Sequence, residues 1–322
     1  MKVTAKMFHP QIRFQAVCLS AISRSIGLKP FFAIQKLLAN FFKGRPSQNA
    51  EKREMFAQRL DGTNMRLCVF SKKGEKPKDA VGLVWLHSGG YSAGTPDQEW
   101  PNIRTFVLTA DCVAVVPEYR LSGEAPYPAA LEDAYEALRW LYGHAEELGV
   151  SRERLFVGGV SAGGGLAACT ALLARDRGGP PIAFQLLFYP MLDDRMDTPS
   201  MKGNDAPVWN EAANLASWKA YLGDLFETGG VPPTAAPSRA EDLSALPPAY
   251  GFVGGVDPFC DETREYFQRL KAAGVDAEVD IYEGCFHAFE QVAFYSAVAK
   301  EAKKKAAEKF CEAAGRFRQD AL

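Results

Sequence analysis

Apolar positions change their period several times along the chain, and each change marks a new element. Ile12, Phe14, Val17, Leu19, Ile22 and Ile26 recur at helical spacing, as do Phe31, Phe32, Ile34, Leu37, Leu38, Phe41 and Phe42. With Arg and Lys between them, they predict two amphipathic helices broken near Gly27 to Pro30. From Met55 the pattern becomes strand-like. Met55 to Leu60 and Met65 to Phe70 flank Asp61-Gly62, a hairpin signal. Val81 to Leu86 is a continuous apolar run, as expected for a strand buried on both faces. Similar runs follow at Cys112 to Val116, Leu155 to Val157, Ile182 to Phe188, Tyr250 to Val253 and Val279 to Tyr282.

Helical periods separate these runs. Leu131, Ala134, Leu138 and Leu141 mark one face of a helix over 129–148, and others are expected over 100–110, 166–174, 261–273 and 296–317. Strand alternating with helix through short links predicts an α/β fold, a mostly parallel sheet covered on both sides. The hairpin adds antiparallel strands at one edge. One gap breaks the rhythm. Between Pro190 and the strand near Tyr250 lie Trp209, Trp218, Tyr221 and the Pro-rich run Val231 to Pro237. That is too long for a plain connection and reads as an inserted cap, helical near Asn210 to Leu222.

Composition narrows the class. With 322 residues, 47% hydrophobic and 24% charged, the chain suits a globular protein with a sizeable core. A net charge of −2 gives no ground to expect nucleic acid or an anionic membrane as partner. Seven cysteines are scattered and never form a Cys-x-x-Cys pair, which points to reduced thiols rather than disulfides or structural zinc. No run approaches the roughly 20 apolar residues of a membrane span. Ala16 to Ile22 is a poor secretory signal, and a cytoplasmic location is expected.

The candidate chemistry centres on Gly158-Gly159-Val160-Ser161-Ala162-Gly163-Gly164, set between an apolar strand and an Ala/Leu-rich helix. Strand, Gly-x-Ser-x-Gly, helix is the context of a nucleophile elbow, where Gly159 and Gly163 remove side chains that would collide. A tight βα turn whose serine caps the helix would read the same way. A nucleophile needs a base, an orienting acid and donors for an oxyanion. Of four histidines, His9 precedes the sheet, His144 ends a surface helix and His87 ends an early strand. Only His287, after the last strand, satisfies the order serine, acid, histidine of the α/β-hydrolase arrangement. Asp257, at the end of the preceding strand, is the favoured acid, with Asp261 and the pair Asp193 and Asp194 as alternatives. The amides of Ala162 and of the loop His87-Ser88-Gly89-Gly90-Tyr91 are candidate oxyanion donors.

Four separated segments carry a resemblance. They are His87-Ser88-Gly89-Gly90; Tyr119-Arg120-Leu121 with Pro126-Tyr127-Pro128-Ala129-Ala130-Leu131-Glu132-Asp133; Gly159 to Gly164; and Asp257-Pro258 with Asp261-Glu262. Together with Tyr189 to Arg195 and His287 they resemble the hormone-sensitive-lipase-like carboxylesterases of the α/β-hydrolase fold, over roughly residues 55 to 320. The resemblance implies Ser161, His287 and Asp257 as catalytic residues, with the amides of Gly89, Gly90 and Ala162 as the oxyanion hole. It implies N-terminal cap helices over 1–50, a catalytic domain over 51–190 and 245–322, and an inserted cap over 191–244. Two positions depart from the family: Ser88 replaces its first glycine, and Val160 an aspartate. The expected activity is hydrolysis of small to medium acyl esters, a small-molecule substrate. Amidase or lactonase chemistry shares the machinery, and a non-catalytic small-ligand module shares the fold. No metal or cofactor is implied, Gly158 to Gly164 does not fit a dinucleotide fingerprint, and a homodimer is left open. Contact of the N-terminal helices with lipid is a further expectation.

Overall fold

The computed structural model of the chain describes residues 1–25, 48–74 and 76–319. The expected second N-terminal helix, with Phe31 and Phe32, lies outside the described residues.

Among the described residues, eight strands form one sheet in the order β1-β2-β4-β3-β5-β6-β7-β8. They are β1 (Ala50–Gln58), β2 (Asn64–Lys72), β3 (Ala80–Leu86), β4 (Cys112–Pro117), β5 (Val150–Val160), β6 (Phe184–Phe188), β7 (Ala249–Gly254) and β8 (Ala277–Tyr282). The opening hairpin supplies the antiparallel pairs β1–β2 and β2–β4, and every later pairing is parallel. β3 and β4 are buried along their whole length, which is why their sequences run apolar without alternation.

From β3 the chain steps outward to β4, then crosses back over β3 to reach β5. Right-handed crossovers in opposite directions put the Trp100–Thr109 helix on one face and the Ala129–Gly143 helix on the other. The first packs against the Ala297–Gln319 helix through stacked Phe106 and Phe310, 4.5 Å apart. The reversal leaves a crevice at the carboxyl ends of β3 and β5, where open α/β sheets bind their ligands.

Three segments converge above that crevice. The Glu211–Leu222 helix, which lies between β6 and β7, is capped by Asn210, which accepts the Ala213 amide at 3.0 Å. Trp218 and Tyr221 on it pack against Tyr91 of the loop after β3, with Tyr221 stacked on Tyr91 at 3.9 Å. The amino-terminal segment is tied to two other loops: Val3 N–H donates to Asp205, between β6 and β7, at 2.7 Å, and His9 N–H to the Gly284 carbonyl after β8 at 2.8 Å.

The first helix, Arg13–Ser25, turns a different face inward than its apolar residues suggest. Ile12, Ala16 and Ser20, spaced one turn apart, are buried, whereas Phe14 is 83% exposed and Ile22 53%. Residues 12 and 14 stand on opposite sides of a 3.6-residue turn, so both cannot face the body. Small Ala16 and Ser20 let the helix lie close, and Ser20 returns its hydroxyl to the Ala16 carbonyl at 2.8 Å. Among the described residues no helix is long and apolar enough to cross a membrane.

Candidate active site

Ser161 stands between β5 and the Ala162–Arg177 helix at φ 59°, ψ −123°, a conformation L-residues seldom hold without outside support. The support is close backbone packing. A Cβ on Gly163 would land on the Leu86 carbonyl oxygen, and one on Gly159 would come within 2.5 Å of the Gly163 carbonyl. Hydrogen bonds then fix the turn. Ser161 N–H donates to Phe188 O at 3.0 Å, while its own carbonyl accepts from Met191 and Gly165, both at 3.1 Å.

Val160, where the resembled family has an aspartate, is fully buried in the β5–β6 pairing opposite Phe188. Bracing of the elbow comes from elsewhere. Met191 leads into Leu192, whose amide donates to Oε1 of buried Glu262 at 2.8 Å. Burial pushes the Glu262 carboxyl well above the ordinary range, the Leu192 amide opposing.

His287 follows β8 in a loop whose backbone abuts His9. Its Nε2 lies 2.9 Å from Ser161 Oγ and its Nδ1 2.8 Å from Asp257 Oδ2. All three side chains are buried. Asp257 Oδ1 accepts the Phe259 amide at 2.9 Å, so both carboxylate oxygens are engaged. With the imidazole proton on Nδ1, facing the carboxylate, Nε2 would be free to accept from the Ser161 hydroxyl. The ring is boxed edge-on by Tyr189 at 4.9 Å and Phe259 at 5.2 Å, with Trp209 at 6.0 Å.

The alternative acids are committed to other partners. Asp193 takes the Arg195 guanidinium through two bonds and its amide through a third, and Asp194 takes the Arg239 guanidinium through two. Asp261, within the first turn of the Cys260–Ala272 helix rather than capping it, takes the Ser200 amide at 2.8 Å. His9 and His144 lie outside the constellation, His144 stacked on Trp140.

The loop after β3 begins where Leu86 pairs with Gly159, directly beside the elbow. Gly89 and Gly90 both have positive φ, 125° and 58°, and a Cβ on Gly89 would strike the Ala93 carbonyl. Their amides and that of Ala162 have no acceptor among the described residues. His87 is buried beneath the loop, stacked on Tyr119 at 3.9 Å, with Nδ1 2.9 Å from the Ser88 carbonyl. Tyr119 O–H donates to the His87 carbonyl at 2.8 Å.

Of the cap aromatics, Trp218 and Tyr221 are packing against Tyr91, whereas Trp209 reaches the site: a Cβ on Gly90 would come within 2.5 Å of its ring and 2.6 Å of Ser217 Oγ. Glu99 is a residue that sequence reasoning passes over. An acid opening a helix looks like a complement to the helix dipole, yet it is buried and contacts Ser88. Away from the site, Glu54, Cys68 and Asp97 gather at metal-binding distances. Lys52 and Arg66 already sit 2.7 Å from Asp97, so protein cations neutralise that cluster.

A family model described as alpha/beta hydrolase fold matches residues 83–291. The chain is 40% identical to esterase LipI of Mycobacterium tuberculosis over 228 residues, 70% of this chain and 71% of that protein. It is 39% identical to carboxylesterase NlhH of the same organism over 223 residues, 68% of this chain and 70% of that protein. Among solved structures, a bacterial heroin esterase superposes with a TM-score of 0.88 at 34% identity, covering 97% of this chain and 99% of that one.

Two outcomes are expected. Gly163→Ala must push the Leu86 carbonyl out of its place beside the elbow, at a cost of about 3 kcal/mol. Thermal unfolding would register the loss, and an unchanged midpoint would contradict the packing argument. The second concerns pH. Burial holds the His87 imidazole down to about 4 from an ordinary 6.5. The unfolded chain therefore binds a proton that the folded one refuses, so this stability is complete above pH 6.5 and drains away as pH falls toward 4. It amounts to about 3 kcal/mol across that window. Buried Glu99, Glu262 and Glu290, whose carboxyls burial raises, work in the opposite sense. They are common to wild type and His87→Gln, so the difference in urea midpoint between the two isolates His87. A difference that does not change between pH 7 and pH 4.5 would refute the assignment.

Proposed function

We propose, from the premise that this chain belongs to the hormone-sensitive-lipase-like carboxylesterases of the α/β-hydrolase fold, that it cleaves small to medium acyl esters through an acyl-enzyme on Ser161. The observation that carries the reading is the continuous relay from Asp257 Oδ2 to His287 Nδ1 and from His287 Nε2 to Ser161 Oγ, at 2.8 and 2.9 Å. Ser161 Oγ attacks the ester carbonyl carbon as its proton passes to Nε2. The Gly89, Gly90 and Ala162 amides hold the oxygen that becomes negative. Collapse of this intermediate breaks the bond to the alkoxy oxygen, which leaves as alcohol with the proton from His287. Water then gives a proton to His287 and attacks the acyl carbon, and the acid departs as Ser161 recovers its proton.

Asp257 holds the imidazole in the tautomer that accepts at Nε2, and its charge steadies the imidazolium formed in each half-reaction. The amino-terminal segment and the 191–244 insertion serve as the cap over the acyl pocket. Trp209, packed between Gly90 and His287, limits what can enter, which suits acyl chains of modest length.

Ser161→Ala is expected to lower hydrolysis of short p-nitrophenyl esters by on the order of 10⁴-fold or more, and Asp257→Asn by on the order of 10³–10⁴. Wild-type turnover in the Ser161→Ala protein would end the proposal. Across acyl esters of increasing length kcat/KM should peak at short to medium chains and fall at long ones. A continued rise would overturn the assignment of Trp209 as a limit. Amide and lactone substrates in the same panel should be poorer than esters.

A further inference from the structure

The departure at Ser88 has a physical counterpart eleven residues downstream in Glu99. Glu99 ends a short 3₁₀ turn, Pro96–Glu99, just before the Trp100–Thr109 helix, and its side chain runs inward beneath the loop after β3. It is 1% exposed. Oε1 accepts the Ser88 amide at 3.3 Å and Gln98 Nε2 at 3.2 Å. Oε2 accepts Trp85 Nε1 at 2.8 Å and Asn102 Nδ2 at 2.7 Å. Four donors thus converge on one buried carboxylate, and one of them is the main chain directly before Gly89. Gln98 completes the grip, its Nε2 lying 3.2 Å from Ser88 Oγ and 3.5 Å from Ser88 O. A glycine at 88 would give Gln98 no hydroxyl to hold.

We propose that Glu99, assisted by Gln98 and Ser88, is the positioning residue of the oxyanion loop. By anchoring the Ser88 amide to a carboxylate that Trp85 ties to β3, it fixes the peptide directly before those carrying the Gly89 and Gly90 donors, while Gln98 and His87 reach the Ser88 carbonyl of the next peptide, whose N–H is that of Gly89. The inference rests on the oxyanion role proposed above for those two amides. Glycines at φ 125° and 58° bring no side-chain restraint of their own, so their N–H directions depend on how the flanks are held. The turn is closed on its far side by the Ser92 and Ala93 amides donating to the Gly89 carbonyl at 3.1 and 3.0 Å. On the near side, His87 and Tyr119 engage carbonyl oxygens. Glu99 is the group that takes a near-side amide. Misaligned oxyanion donors weaken the transition state more than the ground state, because charge on the oxygen appears only as the serine adds.

Glu99→Gln keeps the shape and presents an N–H₂ to a site already full of donors. Its expected effect is a fall in kcat of about 10-fold or more, with KM within about threefold, since loss of one such donor outright costs on the order of 10²–10³. Affinity for a boronic acid analogue of the tetrahedral intermediate should fall by the same factor as kcat/KM. The acid-side pKa of the kcat/KM profile, which reports the histidine, should not move. Gln98→Ala should shift kcat and boronate affinity in the same direction by a smaller factor, and decides the matter if Glu99→Gln does not fold. A loss carried by KM, a loss in kcat/KM without loss of boronate affinity, or wild-type behaviour in both variants overturns the proposal. Wild-type and Ser161→Ala proteins run alongside separate the two ideas. If Ser161→Ala is inactive and Glu99→Gln is unaffected, only the role of Glu99 falls. If Ser161→Ala retains full activity, the underlying reading falls with it.

Discussion

Ser161 sits at φ 59°, ψ −123° where the backbone of β3, of β5 and of the first turn of the following helix comes closest. The Leu86 carbonyl presses on Gly163 and the Gly163 carbonyl presses on Gly159, contacts that no side chain larger than hydrogen permits. One crowded corner therefore sets three features together. It lifts the serine hydroxyl out of the sheet, starts a helix whose first amides have no acceptor, and begins the loop after β3 alongside. The topology makes that corner available. Since β3 and β5 are neighbours only because the chain crosses back over β3, Ser161 and the glycine loop beside it come from segments far apart in sequence.

Buried carboxylates hold the loops around this corner. Asp257 binds His287 and the Phe259 amide. Glu262 takes the Leu192 amide, Glu99 takes the Ser88 amide, and Glu290 accepts the Tyr189 hydroxyl at 2.7 Å beside the His287 ring. A buried carboxyl left without partners would be costly, whereas one that accepts a hydrogen bond from a loop holds that loop in place. Removing one would expose the others to a less ordered surrounding, since they share the same few loops.

Much of this was legible in the sequence, and the reasons are physical. Continuous apolar runs at Val81 and Cys112 mark strands covered on both faces, and their alternation with helical periods dictates a parallel sheet. Ser161, Asp257 and His287, which lie in one hydrogen-bonded row, could be picked out because a serine, acid, histidine relay would need strand ends in a fixed order. The inward face of the first helix was not legible: Phe14 and Ile22 carry more apolar weight than Ala16 and Ser20, yet close approach favoured the small residues. Glu99 was hidden for another reason. Its partners Trp85 and Ser88 precede it by a loop, and an acid beside a helix start already has an ordinary explanation.

The two departures from the family pattern show what kind of information a motif contains. Val160 cannot hydrogen-bond to anything through its side chain, but the elbow it precedes is fixed by main-chain bonds to Phe188 and Met191, with Glu262 securing the segment after Met191. Ser88 adds a side chain where none is needed, and Gln98 uses it. In both cases the substituted residue is not compensated by a similar residue at a nearby position. The restraint is supplied from a different element, through the backbone at the elbow and through both the amide and the hydroxyl of Ser88 in the loop after β3. A motif thus records one solution for holding a loop, while the chemistry asks only that the loop be held, so Val160 in the elbow is compatible with the same serine geometry.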